Sequence, residues 1–179
     1  MAQDAILDVA ERLAGVDGAS SLSLKRLADE AGVSTMVIYS RFGDRFGLEE
    51  ALSKRASESL IDSIESAGDT DPSTLADVGG ALRTWAKDHQ SRFSLLFLTG
   101  HLLDVSLRPQ IDESILSAAR AIERRLGLPK GRSPGPGLTA LAALVGHLIL
   151  ELREQIPRAQ AEAGYAALIA ALTTLGPIS

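Results

Sequence analysis

Residues 23–42 read SLKRLADEAGVSTMVIYSRF, and this stretch decides the fold. Ser23 precedes Leu24, Leu27, Ala28 and Ala31 at helical spacing, and its hydroxyl suits the N-cap of a short helix. Gly32 can take the positive φ that turns the chain sharply, and Val33 can plug the corner. Ser34 then caps a second short helix that turns Val37, Ile38 and Phe42 inward. Leu27, Ala28, Val33 and Ile38 would pack between the two helices, with Ala28 small enough for close approach. That is the packing of a helix-turn-helix, whose second helix fits the major groove of DNA. The outward set is Thr35, Met36, Tyr39, Ser40 and Arg41. A phenol and a guanidinium suit phosphates, a threonine suits a base edge, and an apolar chain suits a thymine methyl. Packing alone would equally fit a helical hairpin in an ordinary core.

On either side the apolar residues keep to helical spacing. Ile6, Val9, Ala10 and Leu13 form a stripe expected to stop at Gly15. Asp44 can cap a longer helix through Leu48, Leu52, Leu60 and Ile64, ending near Gly68. Asp71-Pro72 combines a good N-cap with proline at a first helical position, so the next helix is expected there and runs through Leu75, Val78, Leu82, Trp85 and Ala86. Further helices are expected over 91–98, in broken form around 101–105, and from Pro109 through Ile122 to a stop at Gly127. The Gly- and Pro-rich segment 127–137 reads as a loop, and residues 138–153 and 159–175 as the last helices, parted at Pro157. The expected fold is all-α, with about nine helices.

At 179 residues the chain has room for one domain or two small ones. It has no cysteine, which excludes disulfides, thiolate zinc sites and cysteine nucleophiles. Lys and Arg number 18 against 23 Asp and Glu, so the net charge of −5 excludes a general basic coat. Any DNA contact must come from a small local surface. The longest largely apolar run, Leu138 to Leu150, is interrupted by Thr139 and His147 and falls short of the roughly 20 residues of a membrane span. No basic stretch precedes an apolar one at the N-terminus. A soluble, cytoplasmic protein with no membrane partner is expected.

Residues 5–55 resemble the DNA-binding region of the TetR family of bacterial transcriptional regulators. The resemblance is carried by Ile6-Leu7-Asp8-Val9-Ala10, by the Leu-Ala-Asp-Glu-Ala-Gly-Val-Ser core of residues 23–34, by Ile38-Tyr39 with Phe42, and by Leu48. It implies a DNA-binding domain over 1–55 and a C-terminal dimerisation and ligand-binding domain over 56–179. It implies a homodimer on double-stranded operator DNA, with contacts from Ser23, Lys25, Ser34, Thr35, Met36, Val37, Tyr39, Ser40, Arg41 and Arg45. Tyr39 and Arg45 would meet phosphates; Thr35, Met36, Ser40 and Arg41 would meet bases. Val37 is shared with the core. The chain departs from the family in carrying Gln3 and Asp4 where relatives often have basic residues. It also has seven basic against nine acidic residues over 1–55, and a glycine-rich Gly43-Asp44-Arg45-Phe46-Gly47 corner. Few phosphate contacts and a shallow salt dependence are therefore expected.

In the C-terminal region Thr84-Trp85-Ala86, the stretch 93–97 and the stretch 146–151 resemble in part a subgroup with a Trp-His-Gly signature, although His147 follows Gly146 here. Trp85, Phe93, Phe97, His101, His147 and Glu151 are the candidate lining of an effector pocket, against the plainer reading of core aromatics and an exposed His89. His147 and Glu151, one helical turn apart, could simply bond each other. Two such ligands are too few for a metal, and no cofactor is expected. The small residues of the last two helices, with Leu141, Leu144, Leu148, Leu168, Ile169 and Leu172, would suit a four-helix dimer interface. Burial within one subunit is the alternative.

Gly131-Arg132-Ser133-Pro134-Gly135 spells G-x-S-x-G, but a nucleophile elbow needs a strand before it and a helix after it. No phosphate loop, dinucleotide fingerprint or H-E-x-x-H occurs. The expectation is a ligand-responsive repressor and no enzyme, with a helical small-molecule-binding or interaction module that has left DNA as the alternative.

Overall fold

The computed structural model describes residues 3–17, 23–69, 71–98, 108–129, 131 and 135–174. Among these residues there are nine helices and no strand. They are α1 (Gln3–Asp17), α2 (Leu24–Ala31), α3 (Thr35–Phe42), α4 (Arg45–Glu65), α5 (Leu75–Asp88), α6 (Gln90–Phe97), α7 (Arg108–Arg125), α8 (Gly135–Leu152) and α9 (Arg158–Thr174). The all-α expectation holds. The broken helix expected around 101–105 lies outside the described residues.

The chain divides into two compact units. One is Met1–Glu58 with His89–Ser114, the other Ser59–Asp88 with Ile115–Ser179. In the first, α1 packs on α2 and α6, and α2 packs on α3. Ile6, Leu7, Ala10, Leu27, Ile38, Leu48, Leu52 and Phe93 are buried there. Each fully buried Leu or Ile contributes about 1.5–3 kcal/mol relative to exposure, so this core is what makes short α2 and α3 stable. Ion pairs tie its outer edge. Arg92 of α6 donates through Nε and Nη2 to the two carboxylate oxygens of Glu11, each at 3.0 Å. Arg55 reaches Asp8 at 2.6 Å and Glu11 at 3.6 Å.

In the second unit α5, α8 and α9 pack together around Val78, Leu82, Leu144, Leu148 and Tyr165. The Tyr165 hydroxyl donates to the Gly79 carbonyl at 2.9 Å. Arg83 of α5 holds Glu151 of α8 through two bonds of 3.0 and 2.8 Å, and Lys87 adds a third at 2.7 Å. These cations hold the Glu151 carboxyl down at about 2, with the Arg83 hydrogen bonds the largest cause. Burial pushes the Tyr165 phenol up.

Several boundaries differ from expectation. α1 runs on through Gly15 to Asp17, because glycine in a helix costs only about 1 kcal/mol and is no stop in itself. α5 starts at Leu75 rather than at Asp71-Pro72, because Thr74 and Asp77 cap each other reciprocally. The Asp77 carboxylate accepts from the Thr74 N–H at 2.9 Å, and the Thr74 hydroxyl accepts from the Asp77 N–H at 3.2 Å. α8 begins at Gly135, inside the expected loop. There the Gly137 N–H donates to buried Glu123 of α7 at 3.1 Å, and a Cβ on Gly137 would strike the Ala119 carbonyl. So extended, α8 is long and apolar enough by length and composition to cross a membrane, which the shorter run Leu138–Leu150 is not. A third of it, including Ala140, Leu141, Leu144, Val145 and Leu148, is buried within the chain.

Candidate nucleic-acid interface

The helix pair at residues 23–42 is built by its caps. Ser23 Oγ accepts from the Arg26 N–H at 3.1 Å and opens α2. Gly32 closes it in the left-handed region, at φ 65° and ψ 32°, with its N–H on the Ala28 and Asp29 carbonyls. The Val33 N–H also bonds the Ala28 carbonyl, at 3.0 Å. Ser34 Oγ accepts from the Val37 N–H at 3.4 Å, opening α3 only three residues after α2 ends. With so short a link, α3 has little freedom to reorient against α2.

Burial then sorts α3 into two faces. Ile38 and Phe42 are buried and Val37 is half-buried. Thr35, Met36, Tyr39, Ser40 and Arg41 are exposed, Met36 at 74% and Tyr39 at 50%. Met36 and Tyr39 are two of three large apolar side chains exposed among the described residues. Thr35, Met36, Tyr39 and Ser40 follow an i, i+1, i+4, i+5 pattern, which gathers them on one side of the helix. The Ser40 hydroxyl donates to the Val37 carbonyl at 2.9 Å.

The corner beyond α3 explains its glycines. Gly43 sits at φ 77° and ψ −66°, and the Asp44 N–H closes a γ-turn on the Phe42 carbonyl at 2.9 Å. Asp44 then caps α4 by accepting from the Gly47 N–H at 2.9 Å. A Cβ on Gly47 would collide with the Phe42 carbonyl oxygen.

The cations of this region divide sharply. Arg12 pairs with Glu30, Lys54 with Glu58, Arg55 with Asp8 and Glu11, and Arg45 with Glu49 at 2.7 Å. Glu49 is itself buried, so the Arg45 guanidinium is held along α4. Ser23, Lys25 and Ser34 are not buried; Ser23 and Lys25 lie open beside α3 with its exposed Arg41. Among the described residues Lys25 and Arg41 have no acidic partner.

Residues 6–52 match the family of bacterial regulatory proteins, tetR family. The match covers the helix-turn-helix segment and not the rest of the chain. TetR-like architecture extends beyond it. The solved structure of a TetR-family transcriptional regulator from Streptomyces coelicolor superposes with a TM-score of 0.72 at 22% identity, covering 96% of this chain and 80% of that one. PfmR, a TetR family transcriptional regulator from Thermus thermophilus, gives 0.69 at 17%, covering 94% and 96%. The putative regulatory protein SCO4313 gives 0.72 at 25%, covering 93% and 92%. No curated protein sequence matches. The chain thus carries a helix-turn-helix similar to that of the tetR family and, over nearly its whole length, the fold of such regulators.

The candidate pocket residues that are described fall in both units. Phe93 and Phe97 lie in the first unit, their ring centroids 5.2 Å apart. Trp85, His147 and Glu151 lie in the second. The Trp85 indole donates to Ser59 Oγ at 2.9 Å, and His147 Nε2 bonds the Ala161 carbonyl at 2.9 Å. His147 and Glu151 therefore take separate partners and do not bond each other. His89 is half-buried, and His101 is outside the described residues. Of the five that are described, none lines either of two cavities in the first unit. The larger lies between α4 and α7, on residues that sequence reasoning passed over. Their only sequence signal is a polar stripe at three- and four-residue steps, Glu50, Ser53, Lys54, Ser57 and Glu58.

Proposed function

We propose that the protein is a homodimeric, ligand-responsive transcriptional repressor, cytoplasmic, that sets α3 of each subunit into successive major grooves of an operator. Residues 1–55 act as the DNA-binding part and 56–179 as the part that dimerises and responds to ligand. The observation that carries this reading is the outward face of α3, where Thr35, Met36, Tyr39, Ser40 and Arg41 are exposed on a helix locked by caps and a buried Ile38. Side chains of this kind match base edges and phosphates, and no packing among the described residues requires an exposed Met and Tyr there.

Dimerisation through α8 and α9 is supported by what those helices leave bare. Ala142, Gly146 and Leu150 of α8 are exposed, as are Ala163, Ala166, Ala167, Ala170 and Ala171 of α9. A Cβ on Gly146 would meet open space. α8 is largely apolar, so a second copy would cover surface that water solvates poorly. Effector binding would favour a conformation with the wrong spacing of the two α3 helices, through different affinity for the two states. α4, which contributes residues to both units, is the candidate lever.

A gel shift on the DNA flanking the protein's own gene tests the reading. The wild type is expected to give a retarded band, and Tyr39→Ala to weaken binding about tenfold with an unchanged circular dichroism spectrum. Equal binding by both proteins, or none by the wild type, would refute it.

A further inference from the structure

One cation beside the outward face of α3 is held by a carboxylate that water scarcely reaches. Arg45 is the first residue of α4, and α3 ends just before it at Phe42. Its side chain is exposed, yet Nε donates to Glu49 Oε1 at 2.7 Å. Glu49 lies one helical turn further along α4 and is only 6% exposed. Asp44, adjacent to Arg45, brings a further carboxylate, which accepts from the Gly47 N–H at 2.9 Å.

Local helix energetics do not favour this pair. A cation at the first position of a helix faces the positive end of the helix dipole, and a base placed N-terminal to its acid is the weaker order at i, i+4. What holds the pair closed is the burial of Glu49. A carboxylate this deep that loses its counter-ion costs far more than a solvated surface pair would. Handing Arg45 over to a phosphate would orphan that carboxylate. Were the guanidinium to touch a phosphate while still bonded to Glu49, the phosphate would meet a pair of no net charge, next to the charge of Asp44. Neutralisation of phosphate, with the release of its counter-ions, is what drives backbone contacts, and a neutral pair supplies none.

We propose that Glu49 withholds Arg45 from the DNA backbone and so sets how weakly the protein grips phosphates. The proposal rests on the reading of α3 as the helix that enters the major groove. Phosphate contacts carry no sequence information, so releasing Arg45 strengthens binding to every duplex alike. Glu49 thereby limits retention on unrelated DNA, where phosphate contacts supply nearly all of the affinity.

The test is fluorescence anisotropy of the full-length protein across a range of salt, on the DNA flanking its gene and on an unrelated duplex of equal length. Glu49→Gln keeps an oxygen for the Arg45 N–H and removes only the charge; should it fail to fold, Glu49→Met fills the same buried position with the same expectation. Affinity is expected to rise about tenfold at about 0.1 M salt on both duplexes, and the logarithmic salt slope to steepen by about 0.9 for each bound subunit. Arg45→Ala/Glu49→Gln, which orphans no buried charge, is expected to return to the wild-type slope. An unchanged slope in Glu49→Gln, a gain on one duplex only, or a double variant shallower than the wild type would overturn the proposal. If the wild type binds the flanking DNA and Glu49→Gln binds it with the same slope, this proposal falls and the regulator reading stands. If neither protein binds either duplex, both fall together.

Discussion

Gly47 is the residue on which the placement of α3 against α4 turns. A methyl there would run into the Phe42 carbonyl, a backbone atom that cannot swing aside as a side chain does. Gly47→Ala is expected to destabilise by about 2–3 kcal/mol in urea unfolding, the range of an overpacked contact. Operator affinity should fall with it, since the strain sits at the exit of the recognition helix. Gly80, mid-helix in α5, is the control: an added Cβ meets nothing within 4 Å, so Gly80→Ala should stabilise by about 0.5–1 kcal/mol. In the sequence the two glycines look alike. The glycine-rich corner at 43–47 stands out as a departure from the family, but its cause does not, because it depends on where a carbonyl oxygen lies. By contrast Gly32 and its flanking serines are readable, since a left-handed cap and an N-cap are local chemistry.

Among the elements, α5 and α8 are joined by a contact that no local pattern announces. Arg83 and Glu151 are 68 residues apart, and only the folded bundle makes them neighbours. The pair at i, i+4 that the sequence does display, His147 with Glu151, is not made. The Glu151 carboxyl sits at about 2 against an ordinary 4.5, so the folded chain resists protonation more than the unfolded one. Its stabilisation is therefore complete above about pH 4.5 and disappears as acid drives the pH towards 2. Between about pH 5 and pH 3 the wild type should lose roughly 2 kcal/mol more than Glu151→Gln, measured by urea unfolding at each pH. Equal slopes would show that Arg83 and Lys87 do not hold this carboxylate in solution. Helix ends follow the same division between local and distant causes. The caps at Ser23, Ser34 and Asp44 are legible, whereas the start of α8 depends on Glu123 of another helix.

For the whole molecule, a chain of net charge −5 must hold a polyanion with few cations. Arg12, Arg45, Lys54 and Arg55 are engaged with carboxylates and Arg26 has an interaction of its own, so among the described residues Lys25 and Arg41 are the basic groups of this region without an acidic partner. If each subunit of a dimer neutralises phosphates through those two, the logarithm of operator affinity should fall with that of salt at a slope of about −3.6. Arg41→Ala, losing one cation per subunit, should bring it to about −1.8. A titration by fluorescence anisotropy checks both values. The acidic balance is plain from composition, and Arg45–Glu49 and Lys54–Glu58 are local pairs one helical turn apart, but the engagement of Arg12 and Arg55 emerges only from tertiary pairing. The exposed flank of α8 and α9 has a further consequence. Alanine and glycine possess no rotamers, so any surface that settles there immobilises almost no side chain, and association escapes most of the ordering entropy that lysine- or glutamate-rich faces must give up. Such contact is governed by how closely two backbones can approach, which makes it intolerant of even one added methylene.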